Sequence, residues 1–155
     1  TYEIALGAHK VFQGRGEGEF HFFLSGGQQL GESSHWVSGT GFRIPTNSSD
    51  RSQMCYWSNH FDYEFRPGWY AVYEVNWFHW MKDGAGDLGT TGFEGGDLMN
   101  LDSTGVAGNH IVTMALGLRY KPAANVELGF AYEAPVTIRR DLLEDRIYLD
   151  AILRF

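Results

Sequence analysis

A row of chemically capable side chains lies in the segment CYWSNHFDYEF, residues 55–65. The row comprises Ser58, His60, Asp62 and Glu64. Because these residues are spaced two apart, an extended strand places the hydroxyl, the imidazole and both carboxylates on one face. Such a set could form a hydrolase with Ser58 as nucleophile and His60 as base. Residues two apart on a strand are separated by roughly 6.5–7 Å, too far for a direct hydrogen bond between serine and histidine without side-chain reach, so we expect a structural polar network and no catalysis.

The sequence offers only weak candidates for a metal site. Asp87, Glu94 and Asp97 lie among glycines in GDLGTTGFEGGDL, residues 86–98, but their spacing does not fit an EF-hand calcium loop. Three histidines lie on the polar faces of alternating segments: His9, His21 and His60. No close-spaced ligand motif joins them, and hydrogen-bonded interior histidines are the simpler interpretation. We therefore predict neither a metal ion nor a cofactor.

The composition excludes several classes of function. The net charge is -7, and the 12 Lys and Arg residues are spread along the chain. Because phosphate binding needs a clustered basic face, we predict no nucleic-acid partner. The single cysteine, Cys55, excludes an internal disulfide framework and a multi-thiolate metal site. A chain of 155 residues has the length of one domain, and we assign residues 1–155 to a single domain.

Alternation of apolar and polar residues with a period of two recurs along the chain and is typical of β-strands. About eight such segments are separated by turn residues. They are residues 2–12, 19–25, 35–44, 55–65, 69–80, 110–120, 126–134 and 145–155. The pattern predicts an all-β fold of antiparallel strands.

The connections between these segments differ in length. Residues 66–68 and 121–125 are short turns, and the longer connections are 45–53, the Gly- and Asp-rich 82–106, and 135–146. Long loops on one rim and short turns on the other are typical of transmembrane β-barrels. The stretch 26–34 is predicted to be a loop, and the polar stretch 137–146 could contain a helical turn.

Two features indicate that the polar face is enclosed and that the apolar face meets lipid. Small residues such as Gly117 and Gly129 share the polar face with charges of both signs, which makes room for large charged neighbours inside a narrow barrel. Aromatic residues cluster at predicted strand ends, as they do in interfacial girdles. These aromatics are Tyr2, Phe12, Trp36, Trp69, Trp77, Tyr120, Tyr132 and Phe155.

The charges of the polar faces form a predicted interior network. Its members are Glu3, Arg43, His60, Asp62, Glu64, Glu74, Arg119, Glu127, Glu133, Asp150 and Arg154. Arginine can satisfy two carboxylate oxygens at once, which favours a lattice of ion pairs. The acids outnumber the arginines, so a water-filled interior would favour the passage of cations over anions. An eight-stranded interior is only wide enough for side chains to fill it, which argues against free conduction.

The closing sequence DRIYLDAILRF resembles the last strand of Gram-negative outer-membrane β-barrels. Phe155 matches the terminal aromatic that the barrel-assembly machinery recognises in that family. The alternating apolar positions are matched by Ile147, Leu149, Ala151 and Leu153. The longer run 115–155 is similar to the C-terminal hairpins of uncharacterised outer-membrane barrels grouped with phenol-degradation-type transporters. Members of that group are usually larger, so the chain could be the C-terminal part of a longer barrel.

This resemblance implies an antiparallel up-and-down transmembrane β-barrel in the outer membrane, with the lipid bilayer and the assembly machinery as partners. We expect a porin-like protein with a charged lumen and aromatic girdles, structural or transport-related. A first alternative is a channel for small or apolar solutes as part of a wider barrel. A second is a soluble lipocalin-like barrel that binds a ligand in an apolar cavity, although the usual Gly-x-Trp signature is missing. The loop 82–106 could contact another membrane or surface protein.

Overall fold

The computed structural model describes residues 1–4, 6, 18–86 and 88–155, which form an all-β protein. The strands in this part of the chain are β1 (Tyr2–Glu3), β2 (Glu19–Leu30), β3 (Ser34–Pro45), β4 (Gln53–Arg66), β5 (Trp69–Lys82), β6 (His110–Ala123), β7 (Val126–Pro135) and β8 (Arg146–Leu153). Each strand pairs antiparallel with the next along the chain, so the eight strands form one up-and-down sheet. The predicted antiparallel all-β fold is confirmed.

No helix occurs in the described residues, so the helical turn considered for 137–146 is not present. No helical segment of the described residues has the length and hydropathy needed to cross a bilayer. Of the predicted first strand, 2–12, only Tyr2–Glu3 is a strand within the described residues. His9 and Phe12 lie outside the described residues, as does Asp87.

The predicted loop 26–34 is wrong over most of its length. Strand β2 continues through Gly26 and Gly27 to Leu30, and Gly31 begins the turn to β3 with a φ of 72°. Gly26 and Gly27 pair with Ser38 and Val37 in the neighbouring strand. The ladder to β3 therefore outweighs the low strand propensity of glycine and glutamine, which depends strongly on context.

Short turns and long connections alternate along the sheet. Residues 31–33, 67–68 and 124–125 join strands at one end, whereas 46–52, 83–109 and 136–145 join them at the other end. Pro67 presets the tight turn, and Gly68 adopts a φ of 77° there. The long connections therefore all lie at the same end of the sheet, as the sequence predicts.

The two faces of the sheet differ sharply in exposure. On the outer face, the side chains of Leu24, Leu116 and Leu149 are 75%, 65% and 78% exposed. On the inner face, Thr113 and Glu133 are 0% and 1% exposed. The apolar row of the alternation thus points outward, and much of the polar row is covered.

The residues that cover this inner face come partly from the 83–109 connection. Val106 of that connection packs with four strand residues in a small apolar core: Met54, Phe78, Trp80 and Ile111. The core lies at the end of the sheet that carries the long connections. Within the described residues, β8 pairs with β7 alone and β1 with β2 alone, so the sheet does not close on itself.

Candidate functional site

The inner face of the sheet contains a cleft of about 460 Å³. Strands from β2 to β8 contribute to its wall, and the sheet curls so that His21 of β2 and Tyr148 of β8 line the same space. Four members of the predicted charge network also line it: Arg43, Glu74, Arg119 and Asp150. Met54, Val72 and Phe78 add an apolar patch to its wall.

His60 lies between two carboxylates in the middle of the inner face. Its Nδ1 is 2.6 Å from Glu74 Oε1, and its Nε2 is 3.6 Å from Asp62 Oδ2. The other oxygen of Asp62 is 2.8 Å from His35 Nδ1. Because both ring nitrogens of His60 face carboxylates, the histidine is held as a structural link between β4 and β5.

The hydrolase interpretation of Ser58 and His60 receives no geometric support. No hydrogen bond joins the Ser58 hydroxyl to the His60 ring, and both nitrogens of that ring face the carboxylates of Asp62 and Glu74. A catalytic base needs one ring nitrogen directed at the nucleophile. The arrangement therefore fits a polar network that ties strands together.

Glu127 organises the charges near the short turns. Its side chain is 7% exposed, and Oε1 accepts a hydrogen bond of 2.5 Å from Arg154 Nη1. Lys121 Nζ lies 3.7 Å from the same oxygen, and Arg119 Nη1 lies 3.8 Å from Oε2. Three cations thus surround one buried carboxylate, which is the kind of lattice predicted from the sequence.

Glu133 organises a second group of charges nearer the long connections. Arg146 Nη2 lies 2.8 Å from Glu133 Oε2, and the Tyr148 hydroxyl donates to the same oxygen at 2.9 Å. The other oxygen accepts hydrogen bonds from the Thr113 hydroxyl and from Asn76 Nδ2. Glu133 is 1% exposed, and its charge is balanced by Arg146. This carboxylate therefore fixes the position of the Arg146 guanidinium.

Asp97 belongs to the 83–109 connection and lines the cleft. Arg146 Nη1 lies 2.9 Å from each carboxylate oxygen of Asp97, and Arg43 Nη1 donates to its backbone carbonyl at 3.0 Å. Asp97 stands at the tip of a tight turn in which Leu98 N–H donates to the Gly95 carbonyl. One loop residue thereby links β3 to β8, although the two strands are not neighbours in the sheet.

Buried acids shape the rest of the 83–109 connection. Glu94 accepts hydrogen bonds from the backbone N–H groups of Leu101 and Ser103 at 2.8 and 2.9 Å, while burial raises its pKa. Asp102 pairs with Arg51, and both side chains are almost fully buried. Within the described residues no group of three or more potential metal ligands occurs, and Glu94 and Asp97 bind protein groups instead. The connection is a folded part of the inner face.

Glycines allow close contacts on the inner face, with a charged group at Gly129 and with the neighbouring strand at Gly117. A Cβ at Gly129 would collide with the carboxylate of Asp150 on the adjoining strand. A Cβ at Gly117 would lie 2.8 Å from Ala131 Cβ and would also collide with the Phe130 carbonyl oxygen. Of two further network members, Glu64 accepts the Gly68 N–H at 2.8 Å in the β4–β5 turn, and Glu3 of β1 pairs in register with Glu19 of β2.

The predicted charge network leaves out two central residues of this site, Arg146 and Asp97, the latter considered only as a metal ligand. Arg146 belongs to the polar row of β8 by period two, since it lies two residues before Tyr148, but it is counted both in the segment 145–155 and in the preceding connection and is not a member of the predicted network. Extending the alternation by one step would have found it. Asp97 carries no local signal, because its role depends on an arginine 49 residues away.

The predicted assembly-signal residues all lie on the outer row of β8 or just beyond it. Ile147, Leu149 and Leu153 are 65%, 78% and 59% exposed, and Ala151 is exposed on the same face. Phe155 follows the strand and is fully exposed. Most of the predicted aromatics lie near strand ends, but Trp77 lies inside β5 opposite Trp57. The prediction of a strand-end position is therefore wrong for Trp77.

Comparisons of the chain with protein-family models, curated proteins and solved structures find no match.

Proposed function

We propose that this sheet is the wall of an outer-membrane β-barrel, with a role in transport and no catalytic activity. The apolar outer face contacts lipid, and the charged inner face lines the interior. One observation carries the proposal: large apolar side chains such as Leu24 and Leu149 are exposed on the outer face, while Glu127 and Glu133 are buried on the inner face. Soluble proteins usually bury their large apolar side chains and expose their charged ones, so this distribution is the reverse.

The apolar outer face would be unfavourable in water. Exposed apolar side chains run along successive strands, including Phe22, Phe42, Trp57, Leu116 and Phe130. Soluble monomers rarely expose a contiguous apolar patch larger than a few hundred Å². In a bilayer the same face is stable, because strand backbone groups are satisfied by their neighbours and acyl chains solvate the side chains.

The cleft also favours this proposal over a soluble lipocalin-like barrel. A lipocalin-like cavity would be lined by the apolar row of each strand. The cleft here combines ionic side chains such as Arg119, Arg146 and Glu74 with only a small apolar patch. A soluble ligand-binding barrel would therefore have the apolar row of each strand inside and the polar row outside, which is the opposite of this sheet.

The open sheet favours a wider barrel as the specific form of this role. Within the described residues the outer edge of β8 has no partner strand. An unpaired strand edge is not tolerated in the hydrocarbon region, so the proposal requires strands outside the described residues to complete the wall. A barrel of more than eight strands has a wider interior, and the cleft would then form part of a passage for small solutes.

Extraction from membranes tests the lipid-facing assignment. The protein is expressed with a fused export signal, and the membranes are washed with high salt and then with alkaline carbonate. We expect it to remain in the membrane pellet and to need detergent for release. Recovery in the carbonate supernatant, as a soluble protein that migrates as a monomer in buffer, would reject the proposal.

Conductance in planar bilayers tests the transport role separately. Purified protein is added to the bilayer from detergent, and ionic currents are recorded in potassium chloride. Discrete current steps support a passage. A protein that stays in the membrane pellet without conducting has a structural role instead.

A further inference from the structure

Arg146 has the geometry of a carboxylate-binding group. Buried Glu133 holds its Nη2 at 2.8 Å and its Nε at 3.1 Å, and its guanidinium lies 5.3 Å from the centre of the Tyr148 ring. The side chain is thus fixed on two sides. Its remaining Nη1 is directed at the cleft, where it binds both oxygens of one carboxylate, that of Asp97.

The Asp97 carboxylate that occupies this position is partly exposed to the cleft. Its side chain is 36% exposed, whereas the side chain of Glu133 on the other side of the same guanidinium is 1% exposed. The backbone of Asp97 is held separately, through the hydrogen bond from Arg43 to its carbonyl. Rotation of the Asp97 side chain would therefore free Arg146 Nη1 without moving the loop.

The charges around the cleft favour replacement of Asp97 by another carboxylate. Among the cleft-lining residues, three arginines (Arg43, Arg119 and Arg146) face three acids (Glu74, Asp97 and Asp150). Turning Asp97 away leaves Arg146 Nη1 without this acceptor, while Glu133 still holds Nη2 and Nε. An incoming monocarboxylate makes the same charge-assisted hydrogen bonds to Nη1.

The remaining wall of the cleft suits an apolar body attached to that carboxylate. Met54, Val72 and Phe78 lie on the wall of the same cleft, whose volume of about 460 Å³ is within the range of small-molecule sites. We propose that the cleft binds small monocarboxylates with an apolar chain, and that their carboxylate displaces Asp97 from Arg146. The site specifies the solute class of the proposed passage and in that sense rests on the proposed function.

Isothermal titration calorimetry in detergent tests this site with hexanoate and with hexanamide, its neutral analogue. We expect the wild-type protein to bind hexanoate and not hexanamide. Asp97→Asn removes the competing carboxylate, so hexanoate should bind about tenfold more tightly if Asp97 occupies Arg146 for about nine-tenths of the time. Arg146→Lys keeps the charge but loses the planar fork, so binding should weaken about tenfold or more.

The direction of the Asp97→Asn effect separates a binding site from a structural contact. If Asp97 only ties the loop to β8, the substitution loosens the cleft. The variant then binds hexanoate with the same affinity as wild type or more weakly. That result would overturn the inference. Equal binding of hexanamide and hexanoate by wild-type protein would overturn it without any variant. Asp97→Ser provides the same comparison should Asp97→Asn not fold.

The outcomes of the hexanoate-binding test and of the membrane-extraction test are independent of each other. Absence of hexanoate binding in a protein that needs detergent for release overturns the carboxylate site alone. Selective hexanoate binding by a protein recovered in carbonate supernatant supports the site and rejects the membrane assignment.

Discussion

Arg146 and Glu133 form an ion pair that crosses from β8 to β7, with Nη2 2.8 Å from Oε2. The arginine side chain is 15% exposed and the carboxylate 1% exposed, so solvent screens this pair poorly. Three neutral donors share the carboxylate: the Tyr148 hydroxyl, the Thr113 hydroxyl and the Asn76 amide. The last two strands of the sheet are therefore joined by charge as well as by backbone hydrogen bonds.

Removing the arginine should destabilise the protein strongly. Arg146→Met leaves Glu133 buried without its cation, which we expect to cost about 3 kcal/mol in the free energy of unfolding. Arg154→Met is the matched control, because Arg154 is 55% exposed and Glu127 keeps Lys121 and Arg119 nearby. The control should cost less than about 1 kcal/mol. Urea unfolding in liposomes measures both, and equal losses would contradict the difference in burial.

A charge on the outer face should reveal what surrounds that face. Leu116 lies near the middle of β6 and is 65% exposed. Leu116→Arg should lower the free energy of unfolding in liposomes by about 2–4 kcal/mol if the residue meets hydrocarbon. Glu32→Arg, in the exposed β2–β3 turn, is the control and should change it by no more than about 0.5 kcal/mol. A neutral effect of Leu116→Arg would mean that this face is in water.

A methyl group at Gly117 should disturb the contact between β6 and β7. Its Cβ would lie 2.8 Å from Ala131 Cβ and would meet the backbone carbonyl of Phe130, which cannot move away cheaply. We expect Gly117→Ala to cost roughly 1–3 kcal/mol through overpacking. At Gly26 a Cβ has no neighbour within 4 Å, so Gly26→Ala should be neutral or slightly stabilising. Thermal unfolding followed by circular dichroism compares the two, and similar losses would contradict the prediction.

The 83–109 connection should weaken at low pH through Asp83. The backbone N–H groups of Ala107 and Val106 donate to Asp83 Oδ1 at 2.6 Å each and lower the pKa of this carboxyl below its ordinary value of 3.8. The ionised form is therefore favoured in the folded state. Its stabilisation is fully present above pH 3.8 and is lost as the pH falls through the lowered folded-state value.

Asp83→Asn isolates this contribution. At pH 7 the variant should be less stable than wild type, because an amide oxygen replaces a carboxylate that accepts two hydrogen bonds. The difference should shrink steadily below pH 3.8 as the wild-type carboxyl takes up its proton. Urea titrations of both proteins at several pH values measure it. A stability gap that stays constant down to the acid limit would contradict the assigned role.

The sequence predicted the strands and their faces because both depend on local alternation. Leu116 and Leu128 point outward and Glu127 and Arg119 inward, as period two requires. Strand β2 extends beyond its predicted end because Gly26 and Gly27 pair with β3. The sequence did not predict this extension because glycine has a low intrinsic strand propensity.

The docked 83–109 connection could not be predicted in the same way. Its contact with the sheet depends on Asp97 meeting Arg146 and Arg43, which are distant in sequence. Its acids, Glu94 and Asp102, resemble ordinary loop residues in the sequence, and their burial depends on backbone donors and on Arg51. Long-range contacts of this kind leave no periodic pattern in the chain.

The direction of the apolar face decides the account, and spin-label accessibility in proteoliposomes measures it most directly. A nitroxide is attached to Leu116→Cys on the outer face and, separately, to Ser58→Cys on the inner face, each in a Cys55→Ser background. The account predicts that the label at 116 is relaxed mainly by oxygen dissolved in the bilayer, and the label at 58 mainly by a water-soluble nickel chelate. Strong relaxation by the nickel chelate at 116, with oxygen dominant at 58, would contradict it.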